Sequence, residues 1–349
     1  MSKFKVALFT SGKAEGPVPD WVPESLHNEG IDLVLGESED SEDMLELSSD
    51  ADILWIFGGQ KVSVDVLPKM SKCGAIIRTG SGTDNIPIPE ATDLGIVVCN
   101  TPEAHDDEVS DHAIALLFDL VRRLSVNDRT LRRGVWDVHL NEPNAHVGGS
   151  TLGLVGFGHI AQLVSKKLGG WDMDILCYDP YVSPEEMSSH GVISSSFEDI
   201  LVRSDFISLH CPLTENTRHL IGEDELRKMK STALLINTSR GPVVDEQALV
   251  KGLNAGWIAG AGLDVFEIEG QQVVGNSDEG VSTSSAPNPL LSMENVVATP
   301  HIAGVSDRSI DKCWHLSVDS AIALSKGYWP RSYVNKKVNP KWDLNVSTS

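Results

Sequence analysis

The chain has 349 residues, enough for about two domains, and 41% of them are hydrophobic against 22% charged. These proportions are typical of a globular protein and exclude a disordered or fibrous chain. The excess of 50 acidic over 28 basic side chains gives a formal charge of −22, which repels a polyphosphate backbone and argues against nucleic-acid binding.

The apolar runs are too short for a membrane span or for the apolar core of a signal peptide. The cysteines are scattered, odd in number and without a CxxC pair, which is typical of reduced thiols inside a cell: Cys73, Cys99, Cys177, Cys211 and Cys313. We therefore expect a cytoplasmic protein that has no membrane partner.

Short apolar runs alternate with polar, helix-compatible stretches through the first hundred residues. Five of these runs predict buried strands at Lys5–Phe9, Ile31–Leu35, Ile53–Phe57, Ala75–Arg78 and Ile96–Cys99. Alternation of this kind predicts a parallel sheet that is covered by helices.

A helical pattern follows these strands. Apolar side chains recur at helical spacing from Glu108 to Leu131 and form one stripe: Val109, Ala113, Leu116, Leu117, Leu120 and Leu124. The spacing predicts one uninterrupted helix, of a length that often bridges two domains. Its stripe, together with Trp136, offers an apolar surface for contact with a second chain.

A second alternating series begins at Ser150. Its apolar runs predict strands at Thr151–Val155, Asp174–Tyr178, Phe206–His210, Ala233–Asn237, Ala259–Leu263 and Val296–Thr299. Helical stretches follow at 160–168, 223–229, 246–254 and, after the last strand, 310–324. This rhythm predicts a six-stranded nucleotide-binding sheet. Residues 270–289, which are rich in Gly, Ser, Asn and Pro, are predicted as a long loop or a local insertion.

The most informative stretch is Thr151–Ala161, which contains a Gly-x-Gly-x-x-Ala spacing. It follows a predicted strand and opens a predicted helix, which is the context that a dinucleotide-binding turn requires. Gly156 permits a tight turn, and Gly158 lets the backbone approach a pyrophosphate. The helix that begins near His159 then presents free N–H groups and a positive dipole end to that anion.

An acidic residue follows at the end of the next predicted strand. Asp179 comes about 20 residues after Gly158, where its carboxylate can accept hydrogen bonds from both ribose hydroxyls and repel a 2′-phosphate. No arginine stands beside it in Tyr178-Asp179-Pro180 to bind such a phosphate. The sequence therefore predicts NAD rather than NADP as the cofactor.

Several further motifs occur in order along the chain. They are Arg78-Thr-Gly-Ser-Gly-Thr-Asp-Asn-Ile86, Cys211-Pro-Leu-Thr214, Asn237-Thr-Ser-Arg-Gly241, Gly262-Leu-Asp-Val-Phe-Glu-Ile-Glu269 and Thr299-Pro-His-Ile-Ala-Gly304. With the glycine turn, they make nearly the whole chain resemble the D-isomer-specific 2-hydroxyacid dehydrogenases. The resemblance implies an oxidoreductase that uses NAD to interconvert a small 2-oxo acid and its D-2-hydroxy acid.

The resemblance implies three catalytic residues, Arg240, Glu269 and His301. Each residue type suits the chemistry, since a histidine titrates near neutral pH and can act as general acid, or as base in the reverse direction. Glu269 would favour the charged imidazolium and fix its orientation. Arg240 would hold the substrate carboxylate. Glu267 is an alternative candidate for the role of Glu269, but the family's spacing from Asp264 selects Glu269.

The resemblance also implies sets of binding residues. For the cofactor these are Gly156, Gly158, His159, Ile160, Asp179, Cys211, Pro212, Thr217, Thr238, Ser239, Arg240, Asp264, His301 and Gly304, with Ser81 and Val109 near its nicotinamide half. For the substrate they are Arg78, Gly80, Ser81, Gly82, Arg240 and His301. The backbone amides of the glycine turn at 80–82 would bind the substrate carboxylate.

For the fold, the resemblance implies an α/β protein with two doubly wound parallel-sheet lobes. A discontinuous, flavodoxin-like substrate-binding domain is expected over 1–108 and 305–349, and a Rossmann NAD-binding domain over 109–304. Members of the family are commonly homodimers that associate through the cofactor domain, so we expect a homodimer of this kind.

Two other interpretations stay open at this point. Phosphoglycerate dehydrogenases share the resemblance, although many of them append a regulatory domain and this chain ends soon after the cofactor domain. The C-terminal-binding corepressors are NAD(H)-sensing scaffolds with the same architecture and the same three residues. The sequence has neither the long disordered tail nor the basic nuclear-type cluster that would favour such a scaffold.

Three local features bear on the active site. Gly270 stands where the family ordinarily has proline after the catalytic glutamate, and the loop from there to Pro289 is longer than in most relatives. That loop either covers the active site and shapes specificity or is a surface insertion. His105 and His112 lie among carboxylates but form no metal-binding motif, so we expect no metal.

Overall fold

The computed structural model describes residues 4–10, 17–37, 41–58, 60–136, 145–269 and 288–346. The chain divides into two compact units, Met1–His105 with Ser306–Ser349 and Asp106–Val305. The domain ranges predicted from the sequence, 1–108 with 305–349 and 109–304, differ from these units by a few residues at each boundary.

The first unit is built on a five-stranded parallel sheet in the order β2-β1-β3-β4-β5. Its strands are β1 (Phe4–Thr10), β2 (Ile31–Glu37), β3 (Ile53–Phe57), β4 (Ala75–Thr79) and β5 (Val97–Cys99). The helices between them are α1 (Trp21–Asn28), α2 (Ser41–Ser48) and α3 (Ile88–Asp93). The predicted strands are all present, and their order is that of the flavodoxin-like fold.

The side chains of β3 divide between two apolar cores. Ile53, Trp55 and Phe57 belong to one cluster of buried residues, whereas Leu54 and Ile56 belong to another. Alternate residues of a strand face opposite sides of the sheet, so a strand that is covered on both sides consists of an unbroken apolar run. This is why the sequence identified β3 with its correct ends.

The second unit is built on a seven-stranded parallel sheet in the order β12-β11-β10-β9-β6-β7-β8. Its strands are β6 (Thr151–Val155), β7 (Asp174–Tyr178), β8 (Ile193–Ser194), β9 (Phe206–Leu209), β10 (Leu234–Asn237), β11 (Gly260–Leu263) and β12 (Val296–Ala298). Its helices are α4 (Asp106–Arg122), α5 (Leu124–Arg132), α6 (His159–Leu168), α7 (Pro184–Ser189), α8 (Phe197–Arg203), α9 (Glu223–Lys228) and α10 (Glu246–Ala255). The chain adds strands on one side of β6 as far as β8 and then continues on the other side with β9. The carboxyl ends of β6 and β9 therefore form the topological switch point, where sheets of this kind bind ligands.

The prediction of six strands in this sheet was wrong by one. The additional strand, β8, has only two residues, both exposed, and it pairs with β7 at Leu176 and Cys177. A segment this short and exposed contains no apolar run, so the hydrophobic pattern cannot reveal it.

The prediction of one uninterrupted helix from Glu108 to Leu131 was also wrong, because the chain breaks between α4 and α5. Arg123 has a φ of 55°, in the left-handed region that an α-helix does not contain. The carboxylate of Asp119 accepts hydrogen bonds from the backbone N–H of Ser125, at 2.8 Å, and from its hydroxyl. These bonds satisfy a free donor at the start of α5. The apolar spacing runs across the break, so the pattern alone did not show it.

After Val305 the chain returns to the first unit as α11 (Asp307–Ser325). Trp314 stacks on Phe57 with ring centroids 4.5 Å apart, and it packs edge-on to Trp55 at 5.5 Å. This helix therefore covers one face of the first sheet. None of the described helices combines the length and the apolar character that a membrane crossing demands.

Candidate active site

The residues predicted from the sequence gather along one edge of the second sheet. Its strands are parallel, so their carboxyl ends lie on the same edge. The segments that follow these ends carry the predicted positions: Gly156–His159 after β6, Asp179 after β7, Cys211–Thr217 after β9, Thr238–Arg240 after β10, Asp264–Glu269 after β11 and Thr299–Gly304 after β12. The topology thus brings together residues that are far apart in the sequence.

The turn after β6 has the two properties that a dinucleotide-binding turn needs. Gly156 has a φ of +92°, and a Cβ there would lie 2.9 Å from the backbone of His210 and Cys211, so only glycine fits. Gly158 is the N-cap residue of α6, and a Cβ there would meet no described atom within 4 Å. The first N–H groups of α6 are therefore accessible to an anion.

Asp179 lies beside this turn at the end of β7. Its Oδ2 accepts a hydrogen bond from the Phe157 N–H and its Oδ1 accepts one from the Tyr181 N–H, each at 2.8 Å. These bonds hold the carboxylate next to the glycine turn, where the ribose of a dinucleotide binds in this type of fold.

The segment after β9 contains a half-buried histidine that the sequence analysis did not use. Burial lowers the pKa of His210 to about 4, so its ring is neutral, and its Nε2 lies 2.9 Å from Ser208 Oγ. Burial raises the pKa of the Cys211 thiol to about 11, which makes this cysteine a poor nucleophile. Thr217 Oγ1 donates to the carbonyl of Pro212 at 2.6 Å, which fixes the loop that carries the predicted cofactor residues after β9.

The segment after β10 contains a buried hydroxyl that lacks a protein partner. Thr238 is buried, and its Oγ1 forms no hydrogen bond with the described residues. Ser239, in contrast, donates through its N–H and its Oγ to Asn237 Oδ1. Buried hydroxyls without a partner are rare in native proteins, so the Thr238 hydroxyl is available to a water molecule or a bound group. With the glycine turn and Asp179, this hydroxyl fits a bound dinucleotide.

His301 and Glu269 form a direct pair, with 2.7 Å between Nδ1 and Oε2. About half of each side chain is exposed, at 49% and 42%. The other oxygen of Glu269 accepts from the Phe266 N–H at 3.3 Å, which orients the carboxylate. The rival residue Glu267 pairs instead with His219 at 3.0 Å. The geometry therefore selects Glu269 as the partner of His301.

The pKa of Glu269 lies below its usual value. Burial alone would raise this pKa, but the hydrogen bond with His301 and the positive charges of His301 and Arg240 lower it by more. The carboxylate is therefore ionised well below neutral pH and stabilises a protonated imidazole. An imidazole in this setting can act as a general acid and, once neutral, as a general base.

Arg240 follows β10, the strand next to β11, and lies close enough to Glu269 for its charge to lower the pKa of that carboxyl group. The next residue is Gly241, where a Cβ would lie only 1.9 Å from the backbone of Phe266. The segment after β10 therefore contacts the segment after β11 that carries Glu269. Nη1 of Arg240 donates to the carbonyl of Ser239 at 2.7 Å. Its charge also acts on Glu269. The three residues predicted as catalytic therefore lie together within the second unit.

Asp264 is buried and holds the segment that carries His301. Its Oδ1 accepts from the Ile302 N–H and its Oδ2 from the Ala303 N–H, each at 2.9 Å. The hydroxyl of Thr299 also donates to Oδ1, at 2.6 Å. The structure thus gives Asp264 a positional function, whereas the sequence analysis assigned it only to the cofactor.

Of the residues predicted to bind the substrate, four belong to the first unit: Arg78 lies in β4, and Gly80, Ser81 and Gly82 follow that strand. Nη1 of Arg78 donates to the carbonyl of the next residue at 2.6 Å, and a Cβ at Gly80 would clash with this guanidinium. The N–H of Gly80 donates to Thr101 Oγ1 at 2.7 Å. It is therefore already engaged, and the amides of Ser81 and Gly82 are the ones that we retain for a carboxylate.

The remaining predicted cofactor positions lie around these segments. Nδ1 of His159 is 3.3 Å from Asp106 Oδ2. Ile160 and Val109 are half-buried on α6 and α4, and Gly304 follows β12. Their contacts with the cofactor stay predictions.

The two histidines that were considered as metal ligands have other partners. Nε2 of His105 lies 3.2 Å from Cys313 Sγ in the first unit, and Nε2 of His112 lies 2.8 Å from Thr299 Oγ1 in the second. Within the part of the chain that the structure describes, no three His, Cys, Asp or Glu side chains are grouped so as to hold a metal ion.

Glu246 lies at the start of α10, next to the site, and the sequence did not indicate its role. Its Oε1 accepts from the Glu267 N–H, and its Oε2 accepts from Asn288 Nδ2 at 2.8 Å. Burial raises the pKa of this carboxyl group. Glu267 and Asn288 flank residues 270–287, so Glu246 ties the two flanks together. The predicted loop at 270–289, including Gly270, lies outside the described residues except for its last two positions.

The second unit matches a family model. Residues 114–303, which are more than half of the chain, match the NAD binding domain of the D-isomer specific 2-hydroxyacid dehydrogenases. This match covers the glycine turn and all three of the residues predicted as catalytic.

Individual relatives agree with this family. The chain is 39% identical over 313 residues to a glyoxylate reductase of Korarchaeum cryptofilum, covering 88% of this chain and 90% of the relative. It is 37% identical to a D-3-phosphoglycerate dehydrogenase of Methanocaldococcus jannaschii, over 93% of this chain but only 60% of that relative. The crystal structure of a glyoxylate reductase from Paecilomyes thermophila matches with a TM-score of 0.83 at 25% identity, over 97% of this chain and 100% of that chain. The chain therefore belongs to the D-isomer-specific 2-hydroxyacid dehydrogenase family, and it is an NAD-dependent oxidoreductase that interconverts 2-oxo acids and D-2-hydroxy acids.

Proposed function

We propose that the enzyme reduces glyoxylate, or a similarly small 2-oxo acid such as hydroxypyruvate, with NADH. The observation that carries the proposal is the 2.7 Å pair of His301 and Glu269, on which the charge of Arg240 acts, at the sheet edge that also carries the dinucleotide turn. The similarity to a glyoxylate reductase over most of both chains supports the choice of substrate.

His301 is the proton donor in this proposal. NADH, when bound, supplies a hydride to the carbonyl carbon of the substrate and becomes NAD⁺. As the carbonyl π bond breaks, protonated His301 gives its Nε2 proton to the oxygen, which yields the hydroxy acid and a neutral imidazole. Solvent then restores the proton. In the reverse direction the neutral ring accepts the hydroxyl proton.

Glu269 and Arg240 prepare the site for this transfer. The ionised Glu269 binds Nδ1 of His301, so it fixes the orientation of the ring and leaves Nε2 for the substrate. Arg240 is planar and permanently charged, so it can bind the substrate carboxylate and polarise the neighbouring carbonyl. In the first unit, the resemblance assigns Arg78, Ser81 and Gly82 to the substrate, and we retain these residues as part of the proposal.

A panel of 2-oxo acids tests the proposed substrate. Oxidation of NADH is followed by absorbance with glyoxylate, hydroxypyruvate, pyruvate and 3-phosphohydroxypyruvate, and we expect the highest kcat/KM for glyoxylate or hydroxypyruvate. Turnover confined to the phosphorylated acid would favour a phosphoglycerate dehydrogenase instead. Tight binding of NADH without turnover of any acid would favour a cofactor-sensing scaffold and contradict the proposal.

We further propose that the working form is a homodimer that associates through the NAD-binding domain. The stripe predicted for this contact was mostly wrong, because Ala113, Leu116 and Leu117 are buried in the core of their own unit. Large apolar side chains are instead exposed on and just after α5: Leu124, Leu131, Val135 and Trp136, the last at 83%. We call these four residues the α5 surface. An exposed apolar cluster of this kind is typical of a protein–protein contact.

We also propose that the enzyme works in the cytoplasm. All five cysteines are free and buried. Burial raises the pKa of the thiols of Cys73 and Cys99 to about 11 and about 12, so these groups stay protonated. Free thiols throughout a chain are typical of a reducing compartment.

A further inference from the structure

His301 has a backbone conformation that its surroundings must maintain. Its φ is 54°, in the left-handed region that residues other than glycine rarely adopt. Such a conformation persists when neighbouring groups fix it. Here the backbone N–H of His301 donates to the carbonyl of Asp264 at 2.8 Å, and the next two N–H groups donate to the carboxylate of the same residue.

The carboxylate of Asp264 has a further donor, the hydroxyl of Thr299. A threonine hydroxyl has a single hydrogen, and this one points to Asp264 Oδ1 over 2.6 Å. The Thr299 oxygen is therefore an acceptor toward its other neighbour, Nε2 of His112, at 2.8 Å. It follows that Nε2 of His112 carries a hydrogen and donates it to Thr299.

His112 is also the basic group beside the buried Asp264 carboxylate. Its Nε2 lies 3.6 Å from Asp264 Oδ1, and only 1% of the Asp264 side chain is exposed. His112 lies on α4, which packs against β10, β11 and β12. The segment that carries His301 is thus tied through Asp264 and Thr299 to a helix that is fixed on the sheet.

We propose that His112 is a positioning residue for His301, acting through the Thr299 hydroxyl and the Asp264 carboxylate. The donor at Nε2 directs the Thr299 hydrogen to Asp264, and Asp264 in turn holds the backbone on both sides of the catalytic ring. His112 itself touches neither substrate nor cofactor in this proposal. The inference rests on the proposed function of His301 as proton donor.

Paired substitutions at positions 112 and 299 test the proposal. Gln in H112Q retains a side-chain N–H, whereas Leu in H112L has none. Ser in T299S retains the hydroxyl, whereas Val in T299V loses it. H315L is the matched control, because His315 bonds within α11 of the first unit. For each variant we would measure kcat, the KM of the 2-oxo acid, the affinity for NADH by fluorescence, and the melting temperature.

We expect H112L and T299V to lower kcat by about 10- to 100-fold, because a small displacement of a catalytic group has an effect of this size. NADH affinity should be retained, and H112Q and T299S should recover most of kcat. The H112L/T299V double variant should be no slower than either single variant, since both break the same connection. A fall in melting temperature with unchanged kcat, or equal losses in H112L and H112Q, would overturn the proposal.

Amide hydrogen exchange separates this inference from the proposed function. We expect faster exchange at Ile302 and Ala303 in H112L and T299V, and slow exchange in H112Q, whether or not the enzyme turns over a given acid. A wild-type enzyme that reduces no 2-oxo acid would contradict the proposed function. The exchange rates of the Ile302 and Ala303 amides would still show whether His112 stabilises the segment that carries His301. Unchanged exchange in both H112L and T299V would refute that connection.

Discussion

At the scale of single residues, the pKa of Glu269 sets the acid limit of its pair with His301. The pKa of Glu269 is lowered in the folded protein. The pair of Glu269 and His301 therefore contributes fully to stability at pH values above the pKa of a glutamate in the unfolded chain, about 4.3. That contribution is lost only as the pH falls through the lowered pKa of Glu269 in the folded protein. The acid limit of reduction should therefore lie below the usual carboxyl range, unless the protein unfolds first.

Substitution E269Q tests this pairing. Gln removes the carboxylate that pairs with Nδ1 of His301, so kcat/KM for reduction should fall by about 100-fold at neutral pH, and the acid limit that the Glu269 carboxyl sets should be lost from the profile. The matched control is E267Q, which removes the carboxylate that faces His219. Equal losses in the two variants, or an unchanged pH profile in E269Q, would contradict the assignment of Glu269.

Substitution D179A tests the basis of cofactor preference. The Asp179 carboxylate is fixed by the N–H groups of Phe157 and Tyr181 beside the glycine turn. Its loss removes hydrogen bonds to the ribose and the repulsion of a 2′-phosphate, so the KM for NADH should rise by about 10- to 100-fold and NADPH should become a usable substrate. Asp174, exposed at the other end of β7, provides the control D174A. An unchanged ratio of NADH to NADPH activity in D179A would exclude this role.

At the scale of elements, the sequence predicted the strands well because both faces of each sheet are covered. The apolar run Ile53–Phe57 could be recognised as a strand for this reason, whereas the two exposed residues of β8 could not. The break at Arg123 was missed because the apolar spacing continues across it. Patterns of spacing report burial, and they do not report single backbone angles.

The active site was predictable only in part. The family motifs identified Arg240, Glu269 and His301, which spacing alone could not have brought together. The parallel strand order explains their meeting, because the three residues follow three neighbouring strands. The contact of His112 with Thr299 could not be predicted, because the two residues lie 187 positions apart. Contacts of this range follow from the topology and have no local signal in the sequence.

The connection between α10 and the segment after β11 gives a prediction at this scale. In E246Q the amide nitrogen would face the Asn288 amide, so two donors would meet where a carboxylate now accepts at 2.8 Å. We expect kcat/KM to fall by about 10-fold, because the unpaired donor loosens the connection of Asn288 to the side chain at position 246, which also accepts from the Glu267 N–H two positions from Glu269. N288D restores an acceptor, so the E246Q/N288D double variant should recover most of the loss.

The control for this experiment is E223Q, at the start of α9, where the pairs with Arg227 and Lys251 are exposed and contribute little. If E223Q and E246Q had the same effect, the connection through Glu246 would have no specific role. A double variant as slow as E246Q alone would also argue against it.

At the scale of the whole molecule, the α5 surface predicts self-association. Trp136→Glu places a charge on this surface. The mass measured by analytical ultracentrifugation should therefore change from that of a dimer to that of a monomer, 37.7 kDa. The control is Tyr181→Glu, because Tyr181 is an equally exposed aromatic residue, at 90%. A dimer that persists in the Trp136 variant would place the interface elsewhere, and a monomeric wild-type protein would exclude the homodimer.

The most direct test of the account concerns His301 as the proton donor. Enzyme with bound NADH is mixed with saturating glyoxylate, and the first turnover is followed by stopped-flow absorbance in the wild type and in H301N, since Asn tolerates the left-handed backbone of this position. The account predicts a first turnover slower by about 100- to 10,000-fold in H301N when NADH is saturating. A first turnover in H301N as fast as in the wild type would show that another group supplies the proton.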